Sequence, residues 1–359
     1  MPQPVTATSI HAGSHTRLYP IPAEAVWGAV DTTYISDTHA VDAPKNSGIN
    51  ATAFDWWYFD VGGSDLNSSI VITFNLGLET GLTGGGASVV PFVTVYGSFA
   101  NGSSYFYQQS AGEGALVTTG ADQQSTGVWA GTGARWVATR DLKSYVVSFD
   151  TPTLSGTVTL LSRADAHYPC GPIEPGSNLL VAPYVGWANA VPDATGLVNL
   201  RVNGEKVQYA GVGYHDKNWG NQPYSSTYKV WYWGHAHLGP YSVVWFQVLD
   251  NHGNLSHSAY VSKAGKILVA SCSADAITVR PVGTPFPPTS ESEWPLAYTI
   301  TISLGADKGH LDLTATGHSA ILQAPIYRRW LGTVEGSING GPVLTGYGIW
   351  EDANILRAL

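Results

Sequence analysis

Between Gly213 and Gly220 the chain places Tyr214, His215, Asp216, Lys217, Asn218 and Trp219 in consecutive positions. An imidazole beside a carboxylate offers a general base in His215, oriented by Asp216 or another acid. The same groups equally suit a structural knot that caps backbone atoms and forms ion pairs. A second set follows at once, where Trp231, Trp233, His235 and His237 alternate along 229–237. Two histidines at strand spacing share a face, which makes them the best metal candidate in the sequence. No nearby cysteine or suitably spaced carboxylate completes the ligand set, so metal binding is not expected. An aromatic wall with two polar handles explains that face better. The third set is Phe54-Asp-Trp-Trp-Tyr-Phe-Asp60, whose Asp55 and Asp60 point to opposite faces of a strand and therefore fail as a glycosidase pair.

Other catalytic templates fail outright. There is no Gly-x-Ser-x-Gly elbow and no Gly-x-Gly-x-x-Gly opening a helix. The glycine-rich 81–86 loop lacks the Lys-Ser/Thr ending of a phosphate loop. Elimination leaves a cofactor-free protein with an aromatic cavity and a few polar groups.

Strands must position these groups. In 54–60, Asp55, Trp57 and Phe59 face one way while Phe54, Trp56, Tyr58 and Asp60 face the other, with aromatics on both sides. Such a strand is buried on both faces. Further strands recur about every ten residues, and Asn101-Gly102 and Asn203-Gly204 mark tight hairpins. The strand before the first motif is expected to end near Tyr214, leaving His215 and Asp216 in a loop at a seam between two β halves. Residues 1–50 read as a Pro-punctuated lead-in that wraps the first half, with a helical turn at 23–27. A short helix is expected at 326–331. The fold class is all-β.

Composition agrees. Charged residues make up 12%, against about 25% in an average globular chain, while 41 glycines and 21 prolines fit strands and turns. A net charge of −9 with no basic stripe argues against nucleic acid. No apolar run is long enough to span a membrane as a helix. Most of the 13 Trp, 19 Tyr and 9 Phe serve cores, and a cluster on one strand face would line a pocket. Sequons at Asn50, Asn67, Asn101 and Asn254 favour glycosylation and the secretory route, with a cytoplasmic location as the alternative. Met1-Pro-Gln-Pro lacks the apolar core of a signal peptide, which is expected to have been removed. Cys170 and Cys272 fall in different halves and could form one disulfide across the seam, although their number does not prove oxidation.

Three stretches together resemble the fungal Diels–Alderases, a family related to carotenoid 1,2-hydratase and AttH-like proteins. They are Gly213-Tyr-His-Asp-Lys-Asn-Trp-Gly220, Phe54-Asp-Trp-Trp-Tyr-Phe-Asp60, and Gly332-Thr-Val-Glu-Gly-Ser with Gly346-Tyr-Gly-Ile-Trp-Glu351. The resemblance implies an N-terminal β-sandwich, placed at 1–222, and a C-terminal lipocalin-like barrel, placed at 223–359. It also implies a substrate held between them and no metal or organic cofactor. With its sequons the chain is more similar to the hetero-Diels–Alderases of tropolone–sesquiterpenoid pathways, which join an o-quinone methide to a terpene such as humulene. The expected ligand is an apolar polyene, terpene or quinone-methide-like molecule. Trp56, Trp57, Trp231, Trp233 and Trp350 would shape the pocket together with Asn75. His235, His237 and Asp55 are the catalytic candidates. His215, Asp216, Asn218 and Trp219 would lock the two domains in register. An isoprenoid hydratase or isomerase and a non-catalytic lipocalin-like carrier are the competing readings.

Overall fold

The computed structural model describes residues 16–37, 40–77, 91–120 and 122–358. The 81–86 loop and the start of the lead-in lie outside them. Strands dominate, and the only helical segments among the described residues are the short 3₁₀ turns Tyr224–Ser226 and Ile355–Ala358. Two antiparallel sheets hold nearly everything. The first runs through the N-terminal part and ends in chain order with Glu205–Gly220. The second begins at Val230–Leu238 and takes in the remaining strands.

At the centre of the first sheet, Phe54–Gly63 lies between Glu205–Gly220 and Ser69–Leu76. Its alternation is as read from the sequence. Trp57, Phe59 and Val61 enter a core with Phe74, Trp129, Trp136 and Tyr145, so the sheet folds over on itself as a sandwich does. On the opposite face Phe54 and Tyr58 meet Trp231 and Trp233 of the second sheet. Replacing any one of these buried rings by alanine would cost about 3–5 kcal/mol. Asn203 and Gly204 both take positive φ, as a two-residue hairpin between Val185–Val202 and Glu205–Gly220 requires.

The second sheet curls into a barrel. Its last strand in spatial order, Ile277–Pro281, returns against Tyr241–Leu249. The Gln247 side chain there accepts from Val279 N at 3.1 Å and donates to Val279 O at 3.3 Å. Tyr232, Trp245, Tyr298 and Trp350 fill the barrel interior. Gly234 lies between Trp245 and Trp350, where any Cβ would collide with both side chains. A disulfide joins Cys170 to Cys272 and ties the first sheet's 167–172 hairpin to the barrel strand Lys266–Ser271.

Four local expectations are corrected. Residues 326–331 form the start of the strand Tyr327–Ile338 rather than a helix, because pairing on both sides overrides local propensity. No helix forms at 23–27. The lead-in is not merely a wrap: Arg17–Ile21 pairs with Ala115–Thr119, while Val41 and Ile49 enter the core. His215 and Asp216 lie within Glu205–Gly220, not in a loop, since this strand is laddered on both edges to its end. Of the sequon asparagines, Asn67, Asn101 and Asn254 are exposed, whereas the half-buried Asn50 bonds Gly28 O and accepts from the Thr52 and Ala53 amides.

Candidate functional site

Between the two sheets lies a cavity of about 740 Å³, including the open solvent at its mouth. Its floor follows from strand periodicity. Every second residue on four neighbouring strands points into it: Asp216 and Asn218, Trp56 and Tyr58, Thr73 and Asn75, then Phe92, Thr94 and Tyr96. The register aligns these as two cross-strand rows, Asn218–Trp56–Asn75–Phe92 and Asp216–Tyr58–Thr73–Thr94. The roof comes from the outer face of the barrel. There Trp231, Trp233, Phe246, Leu322, Arg329 and Glu351 contribute, and Tyr224 closes one side from its 3₁₀ turn.

Asp216 is the acidic group of the floor. One carboxylate oxygen accepts from Trp187 Nε1 at 2.7 Å and from the Tyr214 hydroxyl at 2.8 Å. Burial dominates over these two donors and pushes its pKa up to about 7. The group therefore carries a proton at mildly acidic pH and can give it to a ligand atom. On the roof, Arg329 donates to Glu351 Oε1 from Nε at 3.0 Å and from an Nη at 2.7 Å. The pair is a direct cross-strand neighbour pair, and Trp233 flanks Glu351 from the other side. The guanidinium also lies 5.2 Å from the Tyr58 ring centre. Burial raises the Tyr58 phenol well above its ordinary range, with Arg329 acting against that shift.

The structure brings together Trp56, Asn75, Trp231 and Trp233 of the expected wall. It adds Asp216 and Asn218, which were expected mainly to lock the domain seam bordering the pocket. Trp57 and Trp350 do not reach the cavity. Trp57 faces the first core and donates to Asp42 O, and Trp350 fills the barrel, because each occupies the other parity of its strand. Asp55 also takes that parity. It is bonded to Lys217 Nζ and accepts from the Lys45 amide, fully buried on the far side of the sheet. Burial raises Asp55 and lowers Lys217, so both are driven towards neutrality.

Neither candidate histidine lines the cavity. His235 is fully buried behind Tyr214, with Nε2 3.0 Å from Asp60 Oδ2. His237 is 33% exposed at the sheet-to-barrel contact, where its Nδ1 is 2.7 Å from Asp193 Oδ2. His215 bonds Tyr58 O and Asp42 inside the first core, and Trp219 donates to Thr33 O. Arg329, Glu351 and Tyr58 were missed as site residues. The alternation in Tyr327-Arg-Arg-Trp-Leu331 was the available signal for a strand there. The pairing of Arg329 with Glu351 had none.

A profile of the Diels-Alderase-like family matches residues 23–280. The quinolone epoxide rearrangement protein asqO of Emericella nidulans is 33% identical over 326 residues, covering 89% of this chain and 88% of that protein. The Diels-Alderase ucsH of an Acremonium species is 28% identical, covering 64% of this chain and 58% of its own length. Among solved structures, CghA superposes with a TM-score of 0.78 at 16% identity, over 95% of this chain and 99% of that one. Kievitone hydratase of Nectria haematococca gives 0.53 at 15% identity, over 95% and 100%. These last two likenesses concern the fold.

Proposed function

The chain belongs to the Diels-Alderase-like family, and we propose that it is an enzyme promoting an acid-assisted ring-forming rearrangement of an oxygenated, unsaturated small molecule. One observation carries this reading: a buried carboxyl, Asp216, faces an aromatic cavity and keeps its proton up to about pH 7. The substrate is clasped between floor and roof, where positioning in ideal geometry lowers a barrier by up to ~7–11 kcal/mol. Asp216 gives its proton to a strained or leaving oxygen, an effect worth about 10²–10⁴ in rate. The ring faces of Trp56, Trp231 and Trp233 then lie around an electron-poor intermediate and stabilise it by about 0.5–2 kcal/mol per contact.

The likeness to a protein named for quinolone epoxide rearrangement supports an epoxide as the oxygen electrophile. The test is turnover of a quinolone epoxide by the wild-type protein and by Asp216→Asn. The reading expects wild-type rearrangement that falls as pH rises through 7 and is lost in the variant. Equal rates in the two proteins would sink it.

Relatives named as Diels-Alderases favour a second reading. In it the same acid expels water to give an o-quinone methide, which the cavity then joins to a terpene such as humulene in a hetero-Diels–Alder addition. Oxygen-18 in the substrate decides between the two. It stays in the product of an epoxide rearrangement and leaves as water in a dehydration. An isoprenoid hydratase would instead take up label from solvent.

A further inference from the structure

Beside the cavity, on the same face of the sheet as its floor, a second acid–base system repeats the chemistry of the first. On Glu205–Gly220, Tyr214 donates to Asp216 two residues on; on the antiparallel neighbour Phe54–Gly63, Tyr58 donates to Asp60 at 2.8 Å, also two residues on. The register sets Tyr58 opposite Asp216 and Asp60 opposite Tyr214, so the two pairs form a square. Tyr58 belongs to the cavity wall. The oxygen of Asp60 that accepts its hydroxyl also meets His235 Nε2 at 3.0 Å.

Among the described residues, two atoms of this chain of groups have no hydrogen-bond partner, Asp60 Oδ1 and His235 Nδ1, although both residues are fully buried. A network that served only packing would gain by satisfying them, since an unpaired buried polar atom costs about as much as a lost hydrogen bond. Spare capacity of this kind suits groups that gain and lose a proton.

We propose that Tyr58, Asp60 and His235 form a proton relay that opens on the cavity at the Tyr58 hydroxyl and takes up the proton the substrate must lose. The proposal rests on the acid-assisted reading of Asp216. When Asp216 protonates an epoxide, the C–O bond breaks with its electron pair on oxygen, leaving an alcohol and a carbocation. Migration forms the new ring bond, and one proton must then leave the cation while its bonding pair stays in the product. That proton goes to the Tyr58 oxygen as the hydroxyl proton of Tyr58 moves to Asp60 Oδ2. The substrate is isomerised without net gain or loss of atoms. The enzyme resets when Asp60 passes its proton back through Tyr58 to solvent in the emptied cavity and Asp216 takes one up from the same solvent. Tyr58 is the catalytic residue of this relay. His235, with Nε2 on Asp60 Oδ2 and its ring stacked on Tyr214, is the inner end of the relay and exchanges its ring proton through Asp60.

Two measurements test it, and they separate its failure from that of the functional reading. In the first, Tyr58→Phe keeps the ring and removes the hydroxyl. With a quinolone epoxide, the variant is expected to open the epoxide but lose the rearranged product by at least about a hundredfold, water trapping the cation as a diol. An unchanged product ratio and rate would overturn the relay while leaving Asp216 in place. The second needs no substrate: nitrogen-15 histidine NMR follows exchange of the ring N–H of His235 with solvent. A relay to the cavity predicts exchange at least about ten times slower in Tyr58→Phe, with His215, sealed in the other core, unchanged as the internal control. Equal His235 exchange in the two proteins would overturn the proposal even if the epoxide is never turned over.

Discussion

On the sandwich side of the strand pair Phe54–Gly63 and Glu205–Gly220, His215 meets Asp42; on the barrel side, Asp216 meets Tyr214 while His235 meets Asp60. Burial is nearly complete in both places. The difference lies in how many donors each carboxylate receives and what lies beyond it. Asp42 accepts from Ser125 and Tyr145 and is bonded to His215, whose other ring nitrogen bonds Tyr58 O. Burial pushes Asp42 up, yet these partners together hold it below the ordinary carboxylate range. Asp216 has two donors on one oxygen, burial wins, and its carboxyl faces a cavity. A carboxylate with enough donors is an inert anchor. One with too few keeps a proton it can give away.

The contrast can be broken most severely on the sandwich side. His215→Ala strips a hydrogen-bonded partner from the fully buried Asp42 carboxylate and is expected to cost about 3–5 kcal/mol in urea unfolding. Activity should fall only in step with the folded fraction. Activity lost at an unchanged melting temperature would restore a catalytic role for His215.

On the cavity side, stability itself should carry the mark of Asp216. Its folded pKa, about 7, is above the ordinary 3.8, so the folded protein holds a proton that the unfolded chain releases between those values. Its contribution to stability is therefore full below pH 3.8 and declines as pH rises to 7. Asp216→Asn removes that decline, because its amide oxygen still accepts from Tyr214 while carrying no charge. At pH 8 the variant should be more stable than wild type by up to about 4 kcal/mol, and at pH 4 close to it. Urea titrations at the two pH values check this. A difference independent of pH would show that Asp216 does not retain its proton.

The smallest effect sharpens the comparison at the sheet-to-barrel contact. Asp193 of the first sheet is fully buried and bonded to Arg163, Ser242 and His237, the last of these one-third exposed. His237→Ala removes one of three partners and should lower stability by about 1 kcal/mol, with kcat changed less than threefold. A hundredfold loss of kcat at unchanged melting temperature would return His237 to the chemistry.

Period-two alternation made much of this legible in advance. It separated Trp57 and Phe59 from Trp56 and Tyr58 and put Trp231 and Trp233 on one face with both histidines, while the turn dipeptide Asn203-Gly204 located a hairpin. Alternation states which residues share a face, because side chains in a strand must point to opposite sides in turn. It does not state what that face meets. Asp55 was chosen for chemistry and lies instead on Lys217, while Asp216 was assigned to the seam and lies in the cavity floor. Arg329 and Glu351 are 22 residues apart in sequence and become neighbours only through strand pairing. Local sequence thus determined the strands, their two faces and the aromatic character of one of them. Tertiary structure alone decided which face turned to the barrel, how many donors each buried acid received, and so which acid kept its proton.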